Sequence, residues 1–283
     1  MDTTNSNLLG IARRLADTCA AAETVQAVAV TGSVAAGTAD DASDIDLLVL
    51  HSSLPPAAVL STIREAVNGS QRLYSSSAQD NARFKEGYFA DGVRCDLSHL
   101  TLAALEEDLA LVLEAHSTDA HAQSRVSGIQ SSLALYGGAV LSAFQQRASC
   151  YPAALARIMV RHSLRFQPFW AMTELGVKRR DLLYLYQTFV DAEKSIIGVL
   201  CGLNSAYLPG DFKHIARLAA QLPIAPENLA ARLAAVFQRA PEAAASELGA
   251  LIRETFALVE QQMPDVDTSW PRHWFDLPRT GGQ

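Results

Sequence analysis

The hydrophobic positions in the first hundred residues switch between helical and strand spacing. Over residues 7–22, apolar side chains recur every three or four positions, which predicts a helix. The short apolar runs "TVQAVAVTGS" (24–33) and "SDIDLLVLHS" (43–52) predict two strands, the first ending at a tight turn. Residues 55–67 predict a helix with proline early, and "ARFKEGYFADGVRCDLSHLT" (82–101) predicts two strands joined at Asp91-Gly92. This part is therefore predicted to be a mixed β-sheet flanked by helices.

The pattern changes after about residue 101. From Thr101 to Met263 the chain is rich in Ala and Leu, with long helical patterns interrupted by prolines. The clearest helix is Asp181–Leu203, whose apolar residues lie nearly all round it and predict a central position in a bundle. The tail from Asp267 is predicted to be extended. The predicted class is α+β, with a mixed-sheet domain over 1–125 and an α-helical domain over 126–283.

Composition and charge limit the classes of partner that we expect the protein to bind. The chain is 49% apolar and 19% charged, which is typical of a soluble globular protein, and its net charge of −7 offers no basic surface for duplex nucleic acid. No apolar run reaches the roughly 20 residues that span a bilayer, and the first residues do not resemble a secretory signal. We therefore expect a cytoplasmic protein with reduced cysteines and a small-molecule partner, and we leave its oligomeric state open.

The stretch "AVTGSVAAGTADDASDIDLLVL" (29–50) carries the chemistry. Its two glycines have the spacing of a phosphate-binding P-loop, but Thr38 stands where a P-loop has lysine. Asp44 and Asp46 are two residues apart in the second predicted strand, so their side chains leave the same face and repel each other. A divalent metal would relieve that repulsion, and two Mg²⁺ ions form the usual clamp for phosphoryl or nucleotidyl displacement.

A third carboxylate could come from Asp96, on the second strand of the predicted hairpin. Taken alone, Asp96 is equally well explained as a solvent-facing residue in an alternating strand. The pair at Asp44 and Asp46 makes Asp96 a stronger candidate for a metal ligand. Gly32 and Ser33 would then supply backbone N–H groups and a hydroxyl to the β- and γ-phosphates of a nucleotide.

These residues resemble the DNA polymerase β-type nucleotidyltransferase superfamily. The shared pattern is a strand ending in Gly32-Ser33, ten intervening residues, Asp44-Ile45-Asp46-Leu47, and a later strand aspartate, Asp96. The stretch "GSVAAGTADDASDIDLLV" is similar to the small-molecule branch, which contains the aminoglycoside and lincosamide nucleotidyltransferases. The resemblance covers 29–50 best and the helical half only loosely. It implies that residues 1–125 are the catalytic domain and that residues 126–283 bind substrate or act as a lid.

The resemblance implies Mg²⁺-dependent transfer of AMP from ATP to a hydroxyl of a small molecule, with release of pyrophosphate. It also suggests a role in antibiotic resistance. Ala36 stands where many relatives have a basic residue, so the triphosphate charge must be balanced elsewhere. Similar stretches in the branch carry a lysine that faces the phosphates, which makes Lys213 the candidate; otherwise it is an ordinary surface lysine.

The general base is open at the level of sequence. Glu193 lies in the middle of the apolar helix 181–203, where a charge is costly unless it is paired or functional, so it could deprotonate the acceptor hydroxyl. Asp96 could do the same. Two other functions stay open: an inactive fold that senses nucleotides or acts as a toxin–antitoxin partner, and an enzyme that nucleotidylates a protein or an RNA end. Arg157 and His162 give a short R-x4-H pattern that resembles the HEPN ribonucleases and arises often by chance.

Overall fold

The computed structural model describes residues 3–77, 82–213 and 215–279. The chain divides into two compact units. The first runs to Ala115 and takes in Arg125–Cys150, and the second consists of His116–Ser124 and the residues from Tyr151 onward.

A six-stranded mixed sheet forms the centre of the first unit. Its strands are β1 (Val25–Val30), β2 (Ile45–His51), β3 (Tyr74–Ser77), β4 (Arg83–Ala90), β5 (Val93–Thr101) and β6 (Leu133–Tyr136). They lie in the order β3-β4-β5-β2-β1-β6. Only β2 and β5 run parallel; the other neighbours are antiparallel. The predicted hairpin between β4 and β5 is present, with positive φ at Asp91 and Gly92.

Helices lie before, between and after these strands in the sequence. They are α1 (Thr3–Ala20), α2 (Gly32–Ala35), α3 (Ala57–Ala66), α4 (Leu102–Leu113), α5 (Ala120–Ser131) and α6 (Gly138–Ala148). The apolar face of α1, including Leu8, Leu15 and Cys19, is buried against side chains of β1 and β2 such as Val28 and Val49. This burial is the main stabilising contribution to the unit. The mixed sheet with its flanking helices confirms the α+β class expected from the alternating periodicities.

Two strands are absent from the sequence-based prediction. The first, β3, is a Ser-rich run, and the second, β6, lies within the Ala- and Leu-rich part of the chain. Because β6 pairs with β1 in register Val30↔Leu133, Arg125–Cys150 belongs to the unit built on the sheet. The predicted boundary at residue 125 therefore differs from the division into compact units. The roles assigned to the two domains stay predictions.

The second unit is helical. It contains α7 (Ala153–Ser163), a π-helix (Ala171–Val177), α8 (Leu182–Leu203), α9 (Ile215–Ala219), α10 (Leu229–Val236), α11 (Pro241–Gln262) and α12 (Ser269–Asp276). Asp181 caps α8, accepting a hydrogen bond from the backbone N–H of Tyr184 at 3.2 Å. The C-terminal half of α8 is buried over Ile196–Leu203, but Leu183 near its start is 82% exposed. The tail is helical where we predicted an extended segment, because Phe275 of α12 is fully buried against Phe166 and Phe256.

Within the described residues, no helix is both long enough and apolar enough to cross a bilayer.

Candidate active site

The turn after β1 brings backbone against an acidic side chain. Gly32 has a φ of +63°, a conformation that costs any other residue free energy. A Cβ atom on Gly32 would lie 2.6 Å from Oδ2 of Asp46, so a methyl group there must displace the carboxyl group. The N–H of Thr31 also donates to the carbonyl of Asp46 at 2.9 Å. The glycine is therefore required both for the turn and for the close approach of the Asp46 carboxylate.

Asp46 and Asp96 are register partners on the neighbouring parallel strands β2 and β5. Partners in a sheet project to the same face, so the two carboxylates lie side by side, both partly exposed. The same row continues through Gly87 on β4 to Tyr74 on β3. A Cβ on Gly87 would lie 2.7 Å from Oδ1 of Asp96, so glycine is required here too for a carboxylate to fit. The sheet thus holds Asp46 and Asp96 side by side as an acidic pair, and the neighbouring glycines leave room for the two carboxylates.

A cation that the sequence analysis missed already contacts this pair. Nε and Nη2 of Arg94 donate to the two carboxylate oxygens of Asp96 at 3.2 and 3.1 Å. The hydrogen bonds to Asp96 and the charge of that residue raise the pKa of the Arg94 guanidinium, and Asp44 adds to the shift. Arg94 precedes Asp96 by two residues on one strand, so the same-face argument applied to Asp44 and Asp46 would have found it.

Tyr74 is a second neighbour that sequence reasoning missed. Burial and the adjacent Asp96 charge raise the pKa of Tyr74, so its phenol stays protonated near neutral pH and can donate a hydrogen bond. It lies on β3, whose polar sequence carries little strand signal. No sequence rule would have placed it two strands away from Asp96.

The remaining acidic residues of the stretch divide into two groups. Asp40 accepts hydrogen bonds from the N–H of Ala42 at 3.1 Å and the hydroxyl of Ser43 at 2.9 Å, which stabilises a turn. Asp41 accepts from the hydroxyl of Thr4. Asp44 lies just before β2 and is partly buried, and its charge acts on Arg94. Asp46 belongs to the acidic pair, whereas Asp44 lies outside the strand in which the sequence predicts it, because pairing with β5 begins at Ile45.

The donor set suits a divalent metal, with one condition. Carboxylate oxygens are the ligands that Mg²⁺ prefers, and the guanidinium on Asp96 shows that the pair attracts a cation. Across the described ranges, no three His, Cys, Asp or Glu side chains converge closely enough to form a metal cage. A metal shared by Asp44, Asp46 and Asp96 would therefore compete with Arg94 for the carboxylate of Asp96.

Buried polar residues lie on the opposite face of the same strands. His51 of β2 is fully buried, and its Nε2 lies 3.0 Å from Nδ1 of His99 on β5. Burial, and then His99, lower the pKa of His51 to about 3, so His51 is neutral. His99 Nε2 lies 3.5 Å from Oε1 of Glu86, which also accepts from Arg72. Burial alone would raise the pKa of Glu86, but its contacts with His99 and Arg72 lower it. This polar layer ties β2, β5 and β4 together behind the acidic pair.

Residues 12–116 match the model of the nucleotidyltransferase domain family. This region is a nucleotidyltransferase domain. The domain contains the glycine turn at Gly32 and the carboxylates of Asp44, Asp46 and Asp96. Nucleotidyl transfer is the general reaction of such domains, and the chain is accordingly a transferase.

A solved structure of low sequence identity also aligns with this chain. A nucleotidyltransferase-like protein from Exiguobacterium sibiricum aligns with 91% of this chain and 78% of its own, at 11% identity and a TM-score of 0.36. No curated protein matches the sequence significantly.

The two other candidate residues lie in the second unit, outside the nucleotidyltransferase domain. Lys213 is exposed and lies 3.3 Å from the carboxylate of Asp211. Glu193 lies on α8 with its Oε1 buried, and burial raises the pKa of its carboxyl group to about 7. The roles of both in nucleotide binding and base catalysis stay predictions. Arg157 of the R-x4-H pattern forms an ion pair with Asp265 at 2.6 Å, a structural use of that arginine.

Proposed function

We propose that the protein transfers AMP from ATP to a hydroxyl group of a small molecule of the aminoglycoside or lincosamide kind. The observation that carries this proposal is the register pairing of Asp46 with Asp96, with Gly32 beneath the Asp46 carboxylate. Two carboxylates held on one face, next to a turn with exposed N–H groups, suit a nucleotide whose phosphates are bridged by a cation.

Each residue has a role in the proposed reaction. Asp44, Asp46 and Asp96 would hold two Mg²⁺ ions, which neutralise charge on the phosphates and on the leaving group when bound. Gly32 and Ser33 orient the triphosphate through backbone N–H groups and the hydroxyl. Asp96 accepts the proton of the acceptor hydroxyl, whose oxygen forms a bond to the α-phosphorus while the bond from the α-phosphorus to the bridging oxygen breaks. Pyrophosphate leaves with that oxygen.

The test is nucleotide-dependent release of pyrophosphate. The protein is incubated with Mg²⁺, each nucleoside triphosphate in turn, and pooled hydroxylated compounds, and mass spectrometry identifies the molecule that gains a nucleotide. Release that is lost in Asp46→Asn but kept in the matched control Asp41→Asn supports the proposal. Asp41 is a suitable control because it lies in the same acidic loop and bonds only a surface threonine among the contacts described.

One observation favours an alternative to nucleotidyl transfer. The double hydrogen bond from Arg94 to Asp96 is the arrangement expected if the fold binds nucleotide without turnover, as a sensor or a toxin–antitoxin partner. ATP binding without pyrophosphate release, for every acceptor offered, would favour this alternative. A nucleotide found on an added protein or RNA end would replace the small-molecule acceptor.

A further inference from the structure

The second unit contains a pocket whose chemistry the nucleotidyl transfer reaction does not explain. Its volume is about 230 Å³, and it lies between α8, the segment at Phe212, α9 and α10. The walls are mainly apolar: Val190, Ile197, Ile215, Leu233 and Phe237. Val190 and Phe237 are 38% and 42% exposed, so the apolar lining continues to the surface. A pocket of this size accommodates a molecule with a compact apolar body.

A carboxyl group interrupts the apolar lining. Glu193 borders the pocket, and its Oε1 is buried with no hydrogen-bond donor among the residues that the structure describes. A buried carboxyl oxygen without a donor costs free energy, and an apolar residue of similar size would suit the middle of α8 better. Burial also raises the pKa of Glu193 to about 7, which is the response of a carboxyl group that lacks a cationic partner.

No described cation forms a hydrogen bond with Oε1 of Glu193. Lys194 follows it directly on α8, but consecutive helical residues point in different directions. The ammonium of Lys194 lies 5.9 Å from the ring centroid of Phe212, on one wall of the pocket. Lys194 also lines the pocket and its ammonium lies against Phe212, so the carboxyl group of Glu193 and the ring of Phe237 are the features that attract an organic ammonium ion.

We propose that this pocket binds a small, mainly apolar molecule that carries one protonated amine, and that the ammonium donates a hydrogen bond to the carboxylate of Glu193. The apolar body occupies the space between Ile197 and Leu233, with Phe237 at the mouth. The site is poorly suited to a polycationic sugar, because its walls offer a single carboxyl group. The inference concerns binding alone, so it does not depend on the proposed nucleotidyl transfer.

The experiment uses the full chain and two probes that share one apolar body, phenylpropylamine and phenylpropanol. Binding is followed by methyl NMR at Ile197, Ile215 and Leu233, with Val259 of α11 as a distant reference in the same unit. We expect the amine to shift the pocket methyls and to bind at least about tenfold more tightly than the alcohol, since a charge-assisted hydrogen bond replaces a neutral one.

The matched variants are Glu193→Gln, which keeps the shape of the side chain but removes its charge, and Asp191→Asn, which removes an exposed carboxylate from the same helix. Glu193→Gln should abolish the preference for the amine, while Asp191→Asn should preserve it. The unchanged chemical shift of Val259 verifies that each variant is folded. Equal binding of amine and alcohol, an amine preference that survives in Glu193→Gln, or no shift of the pocket methyls with either probe would each overturn the proposal.

Discussion

At the scale of single residues, the candidate site depends on which side chains are absent as much as on which are present. Gly32 lies next to the carboxylate of Asp46, and Gly87 lies next to that of Asp96. A Cβ atom at either glycine would lie less than 3 Å from a carboxylate oxygen. The presence of aspartates at 44 and 46 is visible in the sequence. The need for glycine at 87 is not, because it arises from β4 pairing with β5.

Gly32→Ala should reduce kcat/KM for nucleotidyl transfer by roughly 100-fold, because the added methyl group moves the Asp46 carboxylate by more than the site tolerates. Gly37→Ala is the matched control: Gly37 has a similar φ of +70°, but its Cβ would meet nothing within 4 Å. Both variants should lose about 1–2 kcal/mol in the free energy of unfolding through backbone strain. Steady-state kinetics and denaturant melts measure the two effects. Equal losses of activity would show that strain, and not displacement of Asp46, matters.

Arg94→Gln should lower the Mg²⁺ concentration that gives half-maximal activity by about two- to fivefold. A metal would no longer compete with Arg94 for the Asp96 carboxylate, and the effect is modest because a half-exposed ion pair of this kind is weak. Titration of activity with Mg²⁺ measures the change. Arg14→Gln, which removes the surface ion pair with Asp91, is the control and should leave the titration unchanged. A higher Mg²⁺ requirement in Arg94→Gln would contradict the expectation.

At the scale of elements, α8 has two different halves. Residues Ile196–Leu203 are buried, whereas the first turn exposes Leu182 and Leu183. Glu193 lies between these two regions. The helix itself was predictable from its spacing and from the Asp181 cap. The pocket at Glu193 was not, since α10 and the segment around Phe212 form its other walls, and they are distant in sequence.

Glu193→Leu should stabilise the protein, and the gain should grow with pH. Below the ordinary pKa of about 4.5 the carboxyl group is neutral in both the folded and the unfolded chain, so its burial carries no penalty for charge. As pH rises towards 7 the unfolded chain loses this proton while the folded chain retains it, and the wild type becomes progressively less stable than the variant. After a discount for partial exposure, the difference should reach roughly 2 kcal/mol at pH 8.

Urea denaturation at pH 5 and pH 8 measures this difference. Asp191→Leu on the exposed side of α8 serves as the control and should show no comparable pH dependence. A stabilisation of Glu193→Leu that is equal at the two pH values would mean that the carboxyl group is hydrated in the folded protein.

At the scale of the whole molecule, the chain forms two compact units whose boundary does not follow composition. The Ala- and Leu-rich sequence begins near residue 101, but α6 and β6 still belong to the unit built on the sheet. The reason is the pairing of β6 with β1, which covers a strand edge that would otherwise be open.

A fragment that ends at Cys150 should therefore fold more stably than one that ends at Arg125. The shorter fragment lacks β6 and α6 and exposes the backbone edge of β1, which favours aggregation. Circular dichroism melts and size-exclusion chromatography compare the two. If the two fragments melt at the same temperature and remain equally soluble, β6 does not contribute to the stability of the first unit.

The sequence by itself determined α1, β1, β2, α3 and the β4–β5 hairpin, the glycine turn at Gly32, and the two-residue spacing of Asp44 and Asp46. These features follow from the local geometry of the backbone over a few residues. Only the tertiary structure decided that Asp46 pairs with Asp96, that Tyr74 lies in the same row, that β6 completes the sheet, and that a pocket borders Glu193. Each of those depends on pairing or packing between segments far apart in the chain, and local periodicity carries no information about which distant segments meet.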